Sequence, residues 1–91
     1  MTIEISNNKY ELIKNYKDGF NKDELLNKYT EYFDEYDYIF GDYSYDKLRL
    51  KGFNDKDNKN FNKFNDIDKL DEYIKDYCSY ECRYFLLKKI K

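Results

Sequence analysis

No Ala, Val, Pro, Gln, His or Trp occurs among the 91 residues, and Gly, Arg and Cys number only three, two and two. Each shortage excludes something. Without His the commonest general acid–base is missing, and no glycine-rich phosphate loop is present. Two cysteines are too few for a disulfide scaffold. A zinc site needs four ligands, and a single Cys pair without His does not supply them. No apolar run approaches the roughly 18 residues of a membrane span. The opening "MTIEISNNKYE" places acid and polar residues where a signal peptide requires an apolar stretch. The 17 basic and 19 acidic residues are mixed along the chain, for a net charge of −2. Non-specific binding to duplex DNA rests on clustered cations and is not expected. These exclusions point to a cytoplasmic protein that is not an enzyme, holds no cofactor or metal and does not enter a membrane.

What is present is aromatic. Twelve Tyr and seven Phe suit a chain short enough to bury only roughly 60–65% of its unfolded surface, because large rings fill a small core. Lys, Asn, Ile, Tyr and Phe can all be encoded without G or C, which reads as drift in an AT-rich genome. Against that background Arg49 and Arg83 stand out, as do Gly19, Gly41 and Gly52. A glycine kept under such pressure is expected at positive φ or against another backbone. For Gly41 and Gly52 the expectation is sharper: at least one at positive φ or in a bulge.

The order of elements follows from periodicity. "TIEIS" alternates, Asn7-Asn8 offers a positive-φ turn, and Tyr10, Leu12, Ile13 and Tyr16 seek cover in "KYELIKNYK". Residues 2–17 thus read as a hairpin. In "FNKDELL", Asn21 with Glu24 forms a capping-box pattern and Phe20 can staple to Leu25. A helix is expected from about 22 to 33. "YDYIF" and "KLRLKGF" form a second hairpin over 36–53, bent at Gly41-Asp42, with Asp42, Tyr43 and Tyr45 near its turn. Leu48 and Leu50 face one side of the latter strand, and Lys47, Arg49 and Lys51 the other.

The stretch 54–65 reads as a polar loop with room for a short edge strand near Phe61. Asp55 and Asp57 hint at calcium, but Asn60 and Asp66 stand where a calcium loop wants Gly and Glu, so a solvated loop is the expectation. Ile67, Leu70, Tyr73, Ile74, Tyr77 and Cys78 mark a second helix capped by Asp66 or Asp68. The continuous Tyr84-Phe85-Leu86-Leu87 run marks a strand covered on both faces. The whole is one α+β domain, 1–91, in the order ββαββ(β)αβ: a single, largely antiparallel sheet of about five strands with two helices.

Three blocks, "YELIKNYKDGFN", "YDYIFGDYSYDKLRLKGF" and "YCSYECRYF", resemble in order the motifs of the YutD-like family, small cytosolic proteins of low-GC Gram-positive bacteria. The resemblance runs from about Tyr10 to Leu87. It implies a compact α+β fold and no established activity. Asp18-Gly19, the stretch Gly41 to Phe53 and the pair Cys78 and Cys82 fall on motif positions. Tyr43 and Ser44 stand where the family pattern has Trp-Gly. Ser79, Tyr80, Glu81 and Arg83 also depart from it, which sets Arg83 outside the family-supported sites.

The central hairpin is the best candidate surface. Asp42, Tyr43, Tyr45, Arg49 and Lys51 have the composition of a protein interaction hot spot or of a platform for single-stranded RNA. The competing reading is structural, with Arg49 paired to Asp42 or Asp46 across the hairpin. Cys78 and Cys82 are a candidate thiol pair for redox or metal chemistry; the plainer reading is two free, half-buried thiols that fill a corner. Tyr73, Tyr77, Tyr80 and Tyr84 form a stripe expected in the core with hydroxyls at its rim. The leading functional expectation is a protein-binding module. An RNA- or ribosome-associated module and a thiol or metal site are the alternatives.

Overall fold

The protein is described by a computed structural model over residues 1–77 and 82–91. Its elements in chain order are β1 (Thr2–Ile5), β2 (Asn8–Tyr16), α1 (Lys22–Lys28), β3 (Tyr38–Ser44), β4 (Lys47–Phe53), α2 (Leu70–Tyr77) and β5 (Tyr84–Ile90). The five strands form one antiparallel sheet in the order β1-β2-β5-β3-β4. The α+β fold expected from periodicity is therefore the fold observed. The last strand enters at the centre, which explains its unbroken apolar run. Phe85 and Leu87 join one core with Ile3, Ile5, Tyr10 and Leu25. Leu86 and Tyr84 join a second core with Phe40, Phe53 and Leu70. With a core on either side of the sheet, alternate residues of β5 are buried on opposite faces. The α1 residue Leu25 belongs to the first core and the α2 residue Leu70 to the second.

Alternation in β1 buries Ile3 and Ile5. The turn that follows is Ser6-Asn7, both at positive φ, one residue earlier than Asn7-Asn8. In β2 the register slips between Leu12 and Lys14. Ile13 occupies this bulge and remains exposed, because an extra residue has no place opposite a partner. Tyr16 is also partly exposed, but its ring stacks on its cross-strand neighbour Tyr84 at 4.9 Å.

The first helix starts as its capping pattern requires, with the Asn21 side chain accepting the Glu24 amide at 3.0 Å. It stops at Lys28 rather than near 33, and a 3₁₀ turn, Glu31–Glu35, follows after an extended Tyr29 and Thr30. The cause lies in the Tyr29 hydroxyl, which donates to the Asp34 carboxylate. On a continuous helix, residues five apart sit roughly 140° apart around the axis, so that bond requires the break. Tyr29 and Phe33 still pack against the first core.

No strand forms around Phe61 among the described residues. Instead the 54–66 segment is closed as a ring, with Asn54 and Asp66 in an isolated bridge. The Asn54 amide donates to the Asn65 carbonyl and the Ile67 amide to the Asn54 carbonyl. Asp66, not Asp68, caps the next helical segment, accepting the Asp68 amide at 2.9 Å. Tyr73 and Tyr84 pack on the second core as expected. Tyr77 is exposed, and Tyr80 lies outside the described residues.

The glycine expectation for β3 and β4 needs correction. No glycine has positive φ, and the β3–β4 register runs without a shift from Tyr38 to Ser44. Gly41 and Gly52 are there for space. A Cβ on Gly41 would fall within the Phe85 ring, and one on Gly52 within the Tyr36 ring. Gly41 therefore does not bend the hairpin; it lies inside β3 opposite both Leu50 and Phe85. Gly19 lies against the Tyr84 backbone.

Candidate functional site

The β3–β4 hairpin closes through a two-residue turn, Tyr45-Asp46, since Ser44 pairs with Lys47. Both turn residues have positive φ, 51° and 62°, the pattern of a type I′ turn, which favours Asn-Gly. Tyr45 does not suit such a turn sterically, yet it is 98% exposed at the tip. Asp42 and Tyr43 are not at the turn but inside the strand, and both are buried.

The hairpin divides the candidate residues between the two faces of the sheet. On the α2 side, Asp42 and Arg49 are direct cross-strand partners. Arg49 donates from Nε to Asp42 Oδ1 at 3.1 Å and from an Nη to Oδ2 at 2.5 Å. The guanidinium also donates to the Tyr77 carbonyl at 3.0 Å, at the end of α2, where a cation meets the negative end of the helix dipole. Asp42 is 1% exposed and the Arg49 side chain 44%. The hydrogen bonds to Asp42 raise the Arg49 pKa, against a smaller opposing effect of burial. Lys51 lies over the Phe53 and Tyr73 rings at 5.1 and 5.6 Å.

On the α1 side, Tyr43 packs in the first core beneath the Arg83 guanidinium, 4.0 Å from its ring centroid. Burial and a hydrogen bond to Glu24 push its phenol up to about 12. Thus Arg49, Lys51 and Asp42 stand together, Tyr43 lies through the sheet, and Tyr45 projects from the tip. The ion pair weighed as a structural reading of Arg49 is present, with Asp42 rather than Asp46 as its partner.

Cys78 lies outside the described residues. Cys82 is disulfide-bonded, which corrects the expectation of a free thiol there.

Two buried polar residues escaped the reading of the sequence. The Asp37 carboxylate accepts the Asp55 amide at 2.9 Å and pairs with Lys91 at 3.0 Å. Burial pushes its pKa up, but the Asp55 amide, Lys91 and Asn58 together leave it below the usual value. Asn54 Oδ1 accepts the Asp37 amide at 2.9 Å and Asn58 Nδ2 at 3.2 Å. Nothing in the chain's spacing marks either residue, since acids and asparagines abound in it. Asp55 and Asp57 do come together with Asp37, but Lys91 already supplies a cation to Asp37.

The family profile described as "Putative antitoxin YutD-like" matches residues 4–88. The chain belongs to the YutD-like family. It is 46% identical over 89 residues to the "Putative antitoxin YutD" of Bacillus subtilis (strain 168), covering 98% of each chain. It also superposes on the solution NMR structure of yutD from B. subtilis with a TM-score of 0.83 at 45% identity, covering all of this chain and 83% of that one. Membership agrees with the resemblance carried by the three sequence blocks. No helix among the described residues is long and apolar enough to cross a membrane.

Proposed function

We propose that this member of the family is a cytoplasmic, non-enzymatic protein-binding module that meets its partner through the tip and α2 side of the β3–β4 hairpin. The observation that carries this reading is Tyr45. A side chain in the left-handed region costs about 1–2 kcal/mol, and a 98% exposed ring recovers none of it by packing within the fold. Tyrosine and arginine are also the residues that most often anchor interfaces. Arg49 and Lys51 flank the approach, with Asp42 holding Arg49 from below and Tyr43 carrying Arg83 on the opposite face. β4 is an edge strand of the sheet, which gives a partner access along the hairpin.

The relative from B. subtilis bears the name "Putative antitoxin". A protein antitoxin acts by binding, so such a role needs no catalytic group and accords with a chain that has no His. The test is capture of partners from a lysate of the source organism, with and without nuclease, by the natural chain and by Tyr45→Asn. A protein retained after nuclease and lost with the variant supports the reading. Capture abolished by nuclease, with a steep loss in salt, replaces it with RNA binding.

A further inference from the structure

The chain's two arginines are engaged differently. Arg49 is taken up by Asp42 and by the Tyr77 carbonyl. Arg83 is exposed and stacks on the Tyr43 ring, yet among the described residues it has no ion pair and no hydrogen bond. Tyr43 is a fixed platform, 6% exposed and packed in the first core, with its hydroxyl bonded to Glu24. The ring attracts the cation and holds it in place. Stacking occupies one face of the guanidinium and leaves the N–H donors around its edge open. The β3–β5 register pairs Asp42 with Tyr84, which sets Arg83 beside Tyr43. Two strand residues span roughly 7 Å, so these open donors lie close to the exposed Tyr45 at the tip.

A stacked guanidinium with open edge donors matches an acceptor that carries negative charge on two oxygens. A carboxylate accepts the fork through two parallel bonds. A phosphate accepts it too, but a nucleic acid brings a run of phosphates and binds through clustered cations. This end of the sheet offers no such cluster. Arg49 is already bound to Asp42, Lys47 stands next to Asp46 in the chain, and Glu24 brings a carboxylate to the Tyr43 hydroxyl. One carboxylate is the charge that Arg83 can take. We infer that the Arg83–Tyr43 stack binds an aspartate or glutamate side chain of the partner protein, so that docking continues round the hairpin tip onto the α1 side. This rests on the reading of the tip as the docking surface and adds the chemistry of the partner that meets it.

The test is a ¹H–¹⁵N NMR titration of the full chain with the probe acetyl-Gly-Asp-Gly-amide, read at the arginine Nε–H signals and the backbone amides. Saturable shifts are expected at Arg83 Nε–H and over residues 43–45, while Arg49 Nε–H, bonded to Asp42, stays in place. The same peptide with asparagine in place of aspartate should bind about tenfold or more weakly, since it keeps the shape and loses the charge. Arg83→Gln, at an exposed position, should bring the aspartate peptide down to the level of the asparagine one. Arg83→Lys should recover only part of the difference, because an ammonium keeps the charge and loses the fork. Absent shifts, shifts centred on Arg49 or Lys51, or equal binding of the two peptides would overturn the inference. So would an oligouridylate that shifts Arg83 at lower concentration than the aspartate peptide, which would assign the stack to phosphate. Capture after nuclease treatment separates this inference from the reading beneath it. If Tyr45→Asn loses the partner and Arg83→Gln keeps it, the tip remains the docking surface and the carboxylate site falls. If the peptide binds as expected and Tyr45→Asn keeps the partner, the carboxylate site stands and the reading of the tip falls.

Discussion

Arg49 and Asp42 show why one residue can be read two ways from sequence. Alternation along "KLRLK" places Arg49 opposite Leu48 and Leu50, as found, but it does not reveal that the carboxylate across from it is buried. Removing the guanidinium leaves that carboxylate desolvated without its main partner. Loss of one member of a fully buried pair costs about 3–5 kcal/mol. Because the Arg49 side chain is 44% exposed, water can reach part of the gap, and Arg49→Ala should cost about 2 kcal/mol in urea melts. Arg49→Lys should recover only part of this, since an ammonium cannot reproduce the two parallel bonds. An Arg49→Ala chain as stable as the natural one would refute the structural role of the pair.

At Gly41 the reading was right about the residue and wrong about the reason. Composition singled it out, but no local signal distinguishes positive φ from a ring lying across the backbone. Gly41→Ala would place a methyl carbon within the Phe85 ring, a ring that is fully buried. Overpacking of this kind costs about 1–3 kcal/mol, and the Phe85 side chain is held in place by the first core around it. A Gly41→Ala variant that melts at the same urea concentration as the parent would rule this account out.

At the scale of elements, the strands were the most legible. Period-2 alternation gave β1 and β4, and the apolar run gave β5 its central place. The capping box marked the start of α1 correctly because capping is local. Its end was not legible, because the break depends on Tyr29 reaching Asp34 five residues on. The 54–66 loop was equally opaque. Its order comes from the hub made by Asn54 and Asp37, and a long-range hydrogen bond leaves no periodic trace. That hub has a pH signature. Asp37 titrates below its usual value in the folded chain, so the unfolded chain binds the proton more readily. Its contribution is complete above the unfolded carboxylate pKa of about 4 and is lost as pH falls through the lower folded value. Asp37→Asn should therefore reduce stability near pH 7 by about 1–2 kcal/mol, for one charged hydrogen-bonding partner lost. It should also flatten the acid-side decline. If the variant and the natural chain lose stability in parallel from pH 5 to about pH 2, Asp37 is not the group responsible.

For the whole molecule, the topology explains how 91 residues support two cores. The centre of the sheet is built last in sequence, and each face receives its own aromatic cluster. That arrangement was legible in outline, as was the family. The site was legible only as a segment. The sheet separates Tyr43 from Arg49, and no spacing rule showed that Tyr45 would be the residue at the tip. On this account the protein works by binding, and Tyr45 is kept for a partner rather than for the fold. The most direct test is the Tyr45→Asn variant, followed by both a urea melt and quantitative capture after nuclease treatment. Asparagine adopts the left-handed turn more readily. The melt should therefore be unchanged or shifted up by as much as about 1 kcal/mol, while capture of the protein partner falls at least about tenfold, as for an interface anchor. A variant that melts as predicted and still captures the partner fully would contradict the account.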